Sequence, residues 1–361
     1  MKAMILAAGA GTRLDPLTLQ LPKPLVPIVN RPVLEHTLDL LKKHGFKRVW
    51  ANLYHLPELI TSYFEEGKDQ SIEFNYLIES ELSGDAGGVR ACRGMLGDGT
   101  LLVIMGDLVT NADLSFIIAQ HKKKGALASI ALKAVDDVSQ FGVAVVDKDG
   151  WIKEFQEKPD AKEAKSNLAS TGIYVLEPEV FDFIPTNGKY GFGKQLFPDL
   201  VNKELPVLGI EIKSYWSDVG TFDQYRQANF DALDGNVELN MPGEYKELSG
   251  ASLWSGQNVK IDSRSVLEGK ILLGNNVVIG QGASLSGHVI VGNNCIIEDG
   301  AQIKDSIIWS ASRIGKKTKI LDSIVGLDTR VESEEHLNKT VFVIPQKQMR
   351  KTVRELLCTY I

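Results

Sequence analysis

Residues 261–309 read IDSRSV-LEGKIL-LGNNVV-IGQGAS-LSGHVI-VGNNCI-IEDGAQ-IKDSII-W. An apolar side chain opens every block of six: Ile261, Leu267, Leu273, Ile279, Leu285, Val291, Ile297, Ile303 and Trp309. With 43% of the chain apolar, nine hits in nine positions arise by chance about once in two thousand trials. Four residues after each opening position a small or apolar residue recurs, among them Ile271, Val277, Ala283, Val289 and Cys295. A period of six is neither helical nor a simple strand alternation. It predicts a parallel β-helix, in which each hexad forms one flat face and its apolar residue points inward. Gly274, Gly280 and Gly292 follow inward positions and ease the corners. Near Arg313 the register slips by one, and Ile314 and Ile320 take over.

Upstream the periodicity is different. Short apolar runs at Ala3–Ala7, Arg48–Leu53, Ser71–Ile78, Leu101–Met105, Ala128–Lys133, Val143–Asp147 and Gly172–Leu176 read as strands. Amphipathic stretches at Pro32–His44, Pro57–Glu66, Asp113–Lys124, Pro178–Phe183 and Thr221–Leu233 read as helices. Such alternation predicts an α/β domain with a mixed, mostly parallel sheet, whose ligands gather at the carboxyl ends of the strands. The expected organisation is an α/β domain over 1–235, a polar linker over 236–250, repeats over 251–330 and a tail over 331–361. Within the tail, Gln346–Leu357 reads as a short helix capping the open end of the stack.

Bulk properties exclude several classes. A chain of 361 residues with a formal net charge of −6 lacks the basic surface expected for nucleic acid or anionic membrane. Its three cysteines (Cys92, Cys295, Cys358) are far apart, so neither a disulfide framework nor a zinc site is indicated. No run approaches a membrane span. The expectation is a soluble, cytoplasmic protein.

The first strand runs into Leu6-Ala7-Ala8-Gly9-Ala10-Gly11-Thr12-Arg13-Leu14. Glycines after a buried strand let the backbone approach a ligand and aim N–H groups at phosphate oxygens. The loop is not a dinucleotide fingerprint, because Leu14 stands where the third glycine belongs, and no Gly-Lys-Ser/Thr follows as in a Walker loop. Two cations lie just beyond it, Arg13 and Lys23. Lys23 sits between Pro22 and Pro24, which stiffen its backbone. A solvated lysine has no need of that restraint; a lysine fixed over a phosphate does.

Gly9-x-Gly11-Thr12-Arg13-Leu14 followed by Pro22-Lys23-Pro24 resembles the signature of the sugar-phosphate nucleotidylyltransferases, most of all the mannose-1-phosphate guanylyltransferase branch. Gly106-Asp107, Phe141-Gly142, Glu157-Lys158-Pro159, Ser170-Thr171-Gly172 and Trp216-Ser217-Asp218 then follow in the family's order. The resemblance implies a Rossmann-like transferase domain followed by a left-handed β-helix of hexapeptide repeats. It implies a nucleoside triphosphate and a sugar-1-phosphate as substrates, Mg²⁺ as cofactor, and a homo-oligomer. By the same resemblance, backbone N–H groups of Ala8, Gly9, Gly11 and Thr12 cradle the triphosphate. Arg13 binds the departing phosphates, Lys23 the α-phosphate, and Asp107 with Asp218 the metal. Lys158 anchors the sugar phosphate, while Glu157, Gly142 and Thr171 line the sugar.

The family's Gly-Thr-Ala-Gly base loop reads Gly84-Asp85-Ala86-Gly87 here, and its usual Asn before Thr171 is Ser170. A carboxylate at 85 can accept both N1–H and the 2-amino group of guanine at once, a charge-assisted pair of bonds, which favours GTP. Asp85 can equally cap the turn between Gly84 and Gly87. The same reaction with UTP or dTTP and glucose-1-phosphate is the alternative within the class. A non-catalytic regulatory homologue would be expected to have lost Arg13, Lys23 or the aspartates. Acyl transfer by the repeats would need a histidine in the coil interface; the one histidine within these repeats, His288, follows Gly287 in what reads as a turn.

Overall fold

A computed structural model describes residues 1–65 and 72–345. The expected cap at Gln346–Leu357, like Cys358, lies outside the described residues. The chain forms two compact units: of the described residues, the first takes 1–10, 37–57 and 72–218, the second 11–36, 58–65 and 219–345.

The first unit is built on nine strands: β1 (Lys2–Leu6), β2 (Arg48–Leu53), β3 (Glu73–Ile78), β4 (Leu101–Met105), β5 (Ala128–Ala134), β6 (Gly142–Val146), β7 (Ile152–Glu157), β8 (Leu168–Leu176) and β9 (Val207–Glu211). Their order is β7-β6-β8-β4-β1-β2-β3, with β5 pairing both β8 and β9. Strands β4, β1, β2 and β3 run parallel, while β8 runs antiparallel to β4 and β5. This is the mixed α/β sheet expected from the sequence. Ala3, Met4 and Ile5 are fully buried, as a central parallel strand covered on both faces requires. Helix α1 (Asp85–Ala91) follows β3, and α2 (Leu114–Lys124) follows β4. α2 begins where Asp113 Oδ1 accepts from Phe116 N (2.9 Å) and ends at the left-handed Gly125, the two signals for a start and a stop. Phe155, Tyr174, Phe192 and Phe197 form an aromatic cluster with ring centroids 4.8–5.5 Å apart. Burying each such ring stabilises the fold by about 1.5–3 kcal/mol, and Phe197 carries the short helix α3 (Phe197–Asn202) with it.

In the second unit, parallel ladders join residues 18 apart: Ala251 to Gly269, Val266 to Ser284, Ser284 to Gln302. One step of the ladder therefore spans three hexads. Asn258, Asn276 and Asn294 repeat at the same interval, all with left-handed backbone (φ 58°, 57°, 58°). Their amides bond one rung to the next at 3.1 and 3.0 Å; asparagine tolerates this conformation better than most residues. Gly274 stands where a Cβ would lie 2.7 Å from Asn293 N, so the corner admits no side chain.

Three details differ from the sequence expectation. The step falls from 18 to 17 at Ile296–Arg313 and Gln302–Lys319, which is the predicted slip. It already acts at Val291, whose partner is Ile308. Trp309 is consequently not inward: Ile308 fills the interior, while Trp309 is buried against Tyr225 and donates its Nε1–H to that hydroxyl (2.9 Å). The linker is not featureless either, because Glu244–Leu248 pairs antiparallel with Ala251–Ser255 as an edge strand. The ladder also continues beyond 330, through His336–Asn338 and Val341–Phe342. Helix α4 (Phe222–Asp234), capped by Thr221, packs in this unit. His288 bonds Asp234 (2.9 Å) and stacks on Phe230 at 4.9 Å. Among the described residues no helix is long and apolar enough to cross a membrane.

Candidate active site

Strand β1 ends at Leu6, whose carbonyl accepts from Gly106 N (2.9 Å) just past the end of β4. A Cβ on Gly106 would lie 2.9 Å from Ile5 Cγ2 and 3.1 Å from Leu6 O. Only glycine lets the two strand ends approach; Asp107 follows it, half-buried, and the loop Ala7–Ala10 follows Leu6. Ala8 is buried, whereas Gly9 is exposed; a Cβ at Gly9 would meet no heavy atom within 4 Å, and its φ lies outside the left-handed region.

That loop is held by a polar relay the sequence reading did not find. Ala7 N donates to Asn52 Oδ1 (3.2 Å), and Asn52 Nδ2 donates to Glu79 Oε1 (2.6 Å). Glu79 Oε2 in turn accepts from Ser83 N (3.1 Å), at the approach to α1. Asn52 is 2% exposed and Glu79 9%, and Gly88 leaves the space that Asn52 occupies. A buried relay of this kind is costly to break, because each lost partner leaves another group desolvated.

The second acidic residue is brought to the first by a short ribbon. Trp216 pairs with Thr110 and Ser217 with Val109, antiparallel, so Asp107 and Asp218 leave the ribbon at the same end. Thr110 Oγ1 bonds Tyr215 O (2.7 Å), and Trp216 Nε1 donates to Thr171 O (2.8 Å). The Phe141 and Trp216 rings meet edge-on at 5.1 Å. Val219, directly after Asp218, has φ +45°, an outlier for a β-branched residue. Thr171 itself is 1% exposed and its hydroxyl donates to Ala131 O (2.8 Å); what it offers its surroundings is the carbonyl that holds Trp216. Among the described residues no group of three or more His, Cys, Asp or Glu side chains is placed to hold a metal.

A third cluster gathers at the end of β7. Glu157 pairs with Gly142 across the hairpin, and a Cβ on Gly142 would lie 3.0 Å from Glu157 Oε2. The exposed Lys158 donates its N–H to Phe141 O (3.0 Å) with φ +48°. The Glu157 carboxylate occupies the space over Gly193. Asp85 Oδ1 accepts from Ala86 N (2.8 Å) and Phe192 N (2.7 Å), and Gly87 N donates to Tyr190 O (3.0 Å). The segment Gly191-Phe192-Gly193 is thus pinned by the fully buried Phe192, with one carboxylate lodged against each glycine. Burial pushes the Asp85 carboxyl above its usual range, against the pull of the Phe192 and Ala86 N–H groups and the Lys158 charge. Burial also raises Glu157, with Lys158 and Lys194 opposing and Asp85 adding to the rise. Lys194 is a further charged neighbour that sequence reasoning missed.

In the second unit, Gly11 is left-handed (φ +69°), and a Cβ on it would lie 2.9 Å from Lys23 Cβ and 3.0 Å from Thr18 Cγ2. Thr18 Oγ1 donates to Gly11 O (3.1 Å). The stem of Lys23 therefore lies directly under Gly11, and Lys23 is only 8% exposed; Thr12 and Arg13 are exposed. The restraint expected from Pro22 and Pro24 takes the form of a tight turn closed by Leu25 N→Pro22 O (2.8 Å).

Residues 2–235 match the family model described as nucleotidyl transferase, and residues 251–356 match that of the GMPPB C-terminal domain. A UTP–glucose-1-phosphate uridylyltransferase of Synechocystis is 37% identical over 345 residues, 90% of this chain and 87% of the relative. A rice protein assigned to mannose-1-phosphate guanylyl transfer is 28% identical over 375 residues, 98% of each chain. A Bacillus anthracis protein assigned to glucose-1-phosphate thymidylyl transfer, crystallised with sucrose, superposes with a TM-score of 0.58 at 28% identity, covering 66% of this chain and 97% of its own. A family match over more than half the chain makes this chain a member of the nucleotidyl transferase family and an enzyme of nucleotidyl transfer.

Proposed function

We infer that the chain is a sugar-1-phosphate nucleotidylyltransferase acting on a hexose-1-phosphate. An oxygen of the sugar phosphate attacks the α-phosphorus of a nucleoside triphosphate. The bond from that phosphorus to the β-bridging oxygen breaks, and pyrophosphate leaves with its electron pair. The attacking phosphate is already ionised, so no side chain has to abstract a proton. Both reactants are anions, and charge neutralisation and alignment carry the rate.

The observation that carries this reading is the contrast between the two loop glycines. Gly11 is demanded by the fold, but Gly9 has open space and an ordinary backbone. A glycine the fold does not need, on a loop between a buried strand and a restrained lysine, suits close approach of phosphate to bare backbone. On this reading the N–H groups of Ala8 to Thr12 cradle the triphosphate, Arg13 takes the departing phosphates and Lys23 the α-phosphate. Lys158 anchors the sugar phosphate, and Glu157 with the Gly142 backbone binds sugar hydroxyls. Asp107 and Asp218 are hard oxygen donors leaving one ribbon end, and they are the residues that would hold Mg²⁺. When bound, the ion neutralises phosphate charge in the transition state. The C-terminal ladders are read as a left-handed β-helix of hexapeptide repeats, supported by the 18-residue step. Self-association is proposed with it, supported by the first rung, where Ile261 is 37% exposed while its equivalents Ile279 and Ile297 are buried.

A guanine preference rests on Asp85. Its Oδ1 already accepts from two backbone N–H groups, and its charged neighbours are Lys158 and Glu157, assigned here to the phosphate and the hydroxyls of the sugar substrate. With Asp85 engaged in this way, UTP and glucose-1-phosphate are the favoured pair, supported by 37% identity to the uridylyltransferase over 90% of the chain. GTP with mannose-1-phosphate is the second reading, favoured by the match of the C-terminal model. Four nucleoside triphosphates are to be crossed with the two sugar phosphates, read by pyrophosphate release. The highest kcat/KM is expected for UTP with glucose-1-phosphate, and a higher value for GTP with mannose-1-phosphate reverses the order.

A further inference from the structure

We propose that Gln20 is a positioning residue for nucleotidyl transfer: through it the C-terminal parallel stack sets the backbone that carries Lys23. The inference rests on the reading of Lys23 as the cation at the α-phosphate.

Gln20 is 1% exposed, and its carboxamide is fully engaged by backbone more than 300 residues away. Oε1 accepts from Leu327 N (3.1 Å), while Nε2 donates to Leu327 O (3.3 Å) and Ile344 O (3.2 Å). The receiving corner is shaped for it, because a Cβ on Gly326 would lie 2.7 Å from Oε1. Leaving a carboxamide this deep unpaired is costly, so residue 20 cannot move without leaving the stack's own N–H and C=O groups unsatisfied.

Little slack separates this anchor from Lys23. Gln20 N closes a turn on Leu17 O (3.0 Å), Leu21 is fully buried, and Pro22 fixes the next φ. On the other side of Lys23 the chain is tied down again. Tyr225 donates its hydroxyl to Pro27 O (2.8 Å) while accepting from Trp309 Nε1. Val29 N donates to Asn229 Oδ1 (2.8 Å), and Asn30 Nδ2 to Val291 O (2.9 Å). Lys23 is thus bracketed, three residues before and four after, by contacts to C-terminal residues of the same compact unit. A small displacement of a catalytic group is enough to cost orders of magnitude in rate, so the stack acts on turnover through this bracket.

The test is a double-mutant cycle in the full chain. Gln20→Leu keeps the bulk but loses all three bonds; Tyr225→Phe loses the hydroxyl relay on the other side. Each is assayed alone and together with Lys23→Ala, by pyrophosphate release with the best substrate pair, alongside thermal unfolding. Gln20→Leu is expected to lower kcat at least about 10-fold, with KM for the sugar phosphate changed less than about 3-fold and the far-UV spectrum retained. In the Lys23→Ala background it is expected to lower kcat no further. Equal loss in both backgrounds, or no loss with Lys23 present, overturns the inference. If Gln20→Leu does not fold, Tyr225→Phe decides by the same criterion. Near-normal turnover of Lys23→Ala alone is a separate outcome, which overturns the underlying assignment of Lys23.

Discussion

Gly9→Ala adds one methyl group to the loop after β1, and the two consequences of that methyl should part company. In the protein alone the new Cβ meets no heavy atom within 4 Å, and the backbone is not left-handed. Stability should therefore change by less than about 0.5 kcal/mol, with a small gain available from the stiffer unfolded chain. If phosphate approaches the bare backbone at this point, the methyl displaces it from its N–H donors. Losing one such contact costs about 3 kcal/mol, or about 10²-fold in kcat/KM. Gly11→Ala is the control with the opposite profile. It forces alanine into left-handed backbone at about 1–2 kcal/mol. Its Cβ would also fall 2.9 Å from Lys23 Cβ and 3.0 Å from Thr18 Cγ2, adding about 1–3 kcal/mol of overpacking. Thermal unfolding and pyrophosphate-release kinetics on the same preparations give both numbers for each variant. Gly9→Ala with unchanged Tm and unchanged kcat/KM would refute the reasoning, since the glycine would then serve neither fold nor phosphate.

Asp107→Asn and Asp218→Asn should each raise the Mg²⁺ concentration for half-maximal activity by about 10–100-fold, no less than the loss of an outer-shell partner costs at other metal sites; an unchanged metal titration removes that residue from the ligand set. Asp85→Asn tests the raised carboxyl: a group whose folded pKa lies above its unfolded value gives stability present below the unfolded pKa and lost as pH rises through the folded one. The asparagine keeps the Oδ1 that accepts from Ala86 and Phe192 but never charges. It should be more stable than wild type at pH 7, with the difference shrinking as pH falls toward about 4, and a variant less stable at pH 7 would show that the charge itself is wanted there.

Much of the fold is legible because it is written locally. Arg48–Leu53 and Leu101–Met105 are strands at the predicted residues, being apolar runs bounded by polar or glycine residues. Asp113 and Thr221 cap the helices they were expected to open. The slip in the repeats shows as a change of step from 18 to 17. What escaped depends on distant partners. α1 contains two glycines in seven residues, a poor helix former by propensity, and it forms where Gly88 makes room for Asn52. Glu244–Leu248 is exposed throughout and becomes a strand only by pairing with its neighbour. In the site, Asp107 and Lys23 are visible from their motifs. Asn52 and Glu79 are single polar residues whose bond spans 27 positions, and Gln20 reaches across 307. No local pattern marks residues of that kind.

The most direct measurement of the central claim follows both products of the purified full chain. UTP, glucose-1-phosphate and Mg²⁺ are supplied, the sugar nucleotide is quantified by mass spectrometry, and pyrophosphate is quantified alongside; GTP with mannose-1-phosphate is run in parallel. Nucleotidyl transfer predicts sugar nucleotide and pyrophosphate in equal amounts with at least one pair, dependent on the sugar phosphate and lost in Lys23→Ala. Pyrophosphate released without sugar nucleotide, or neither product with any pair, would contradict it.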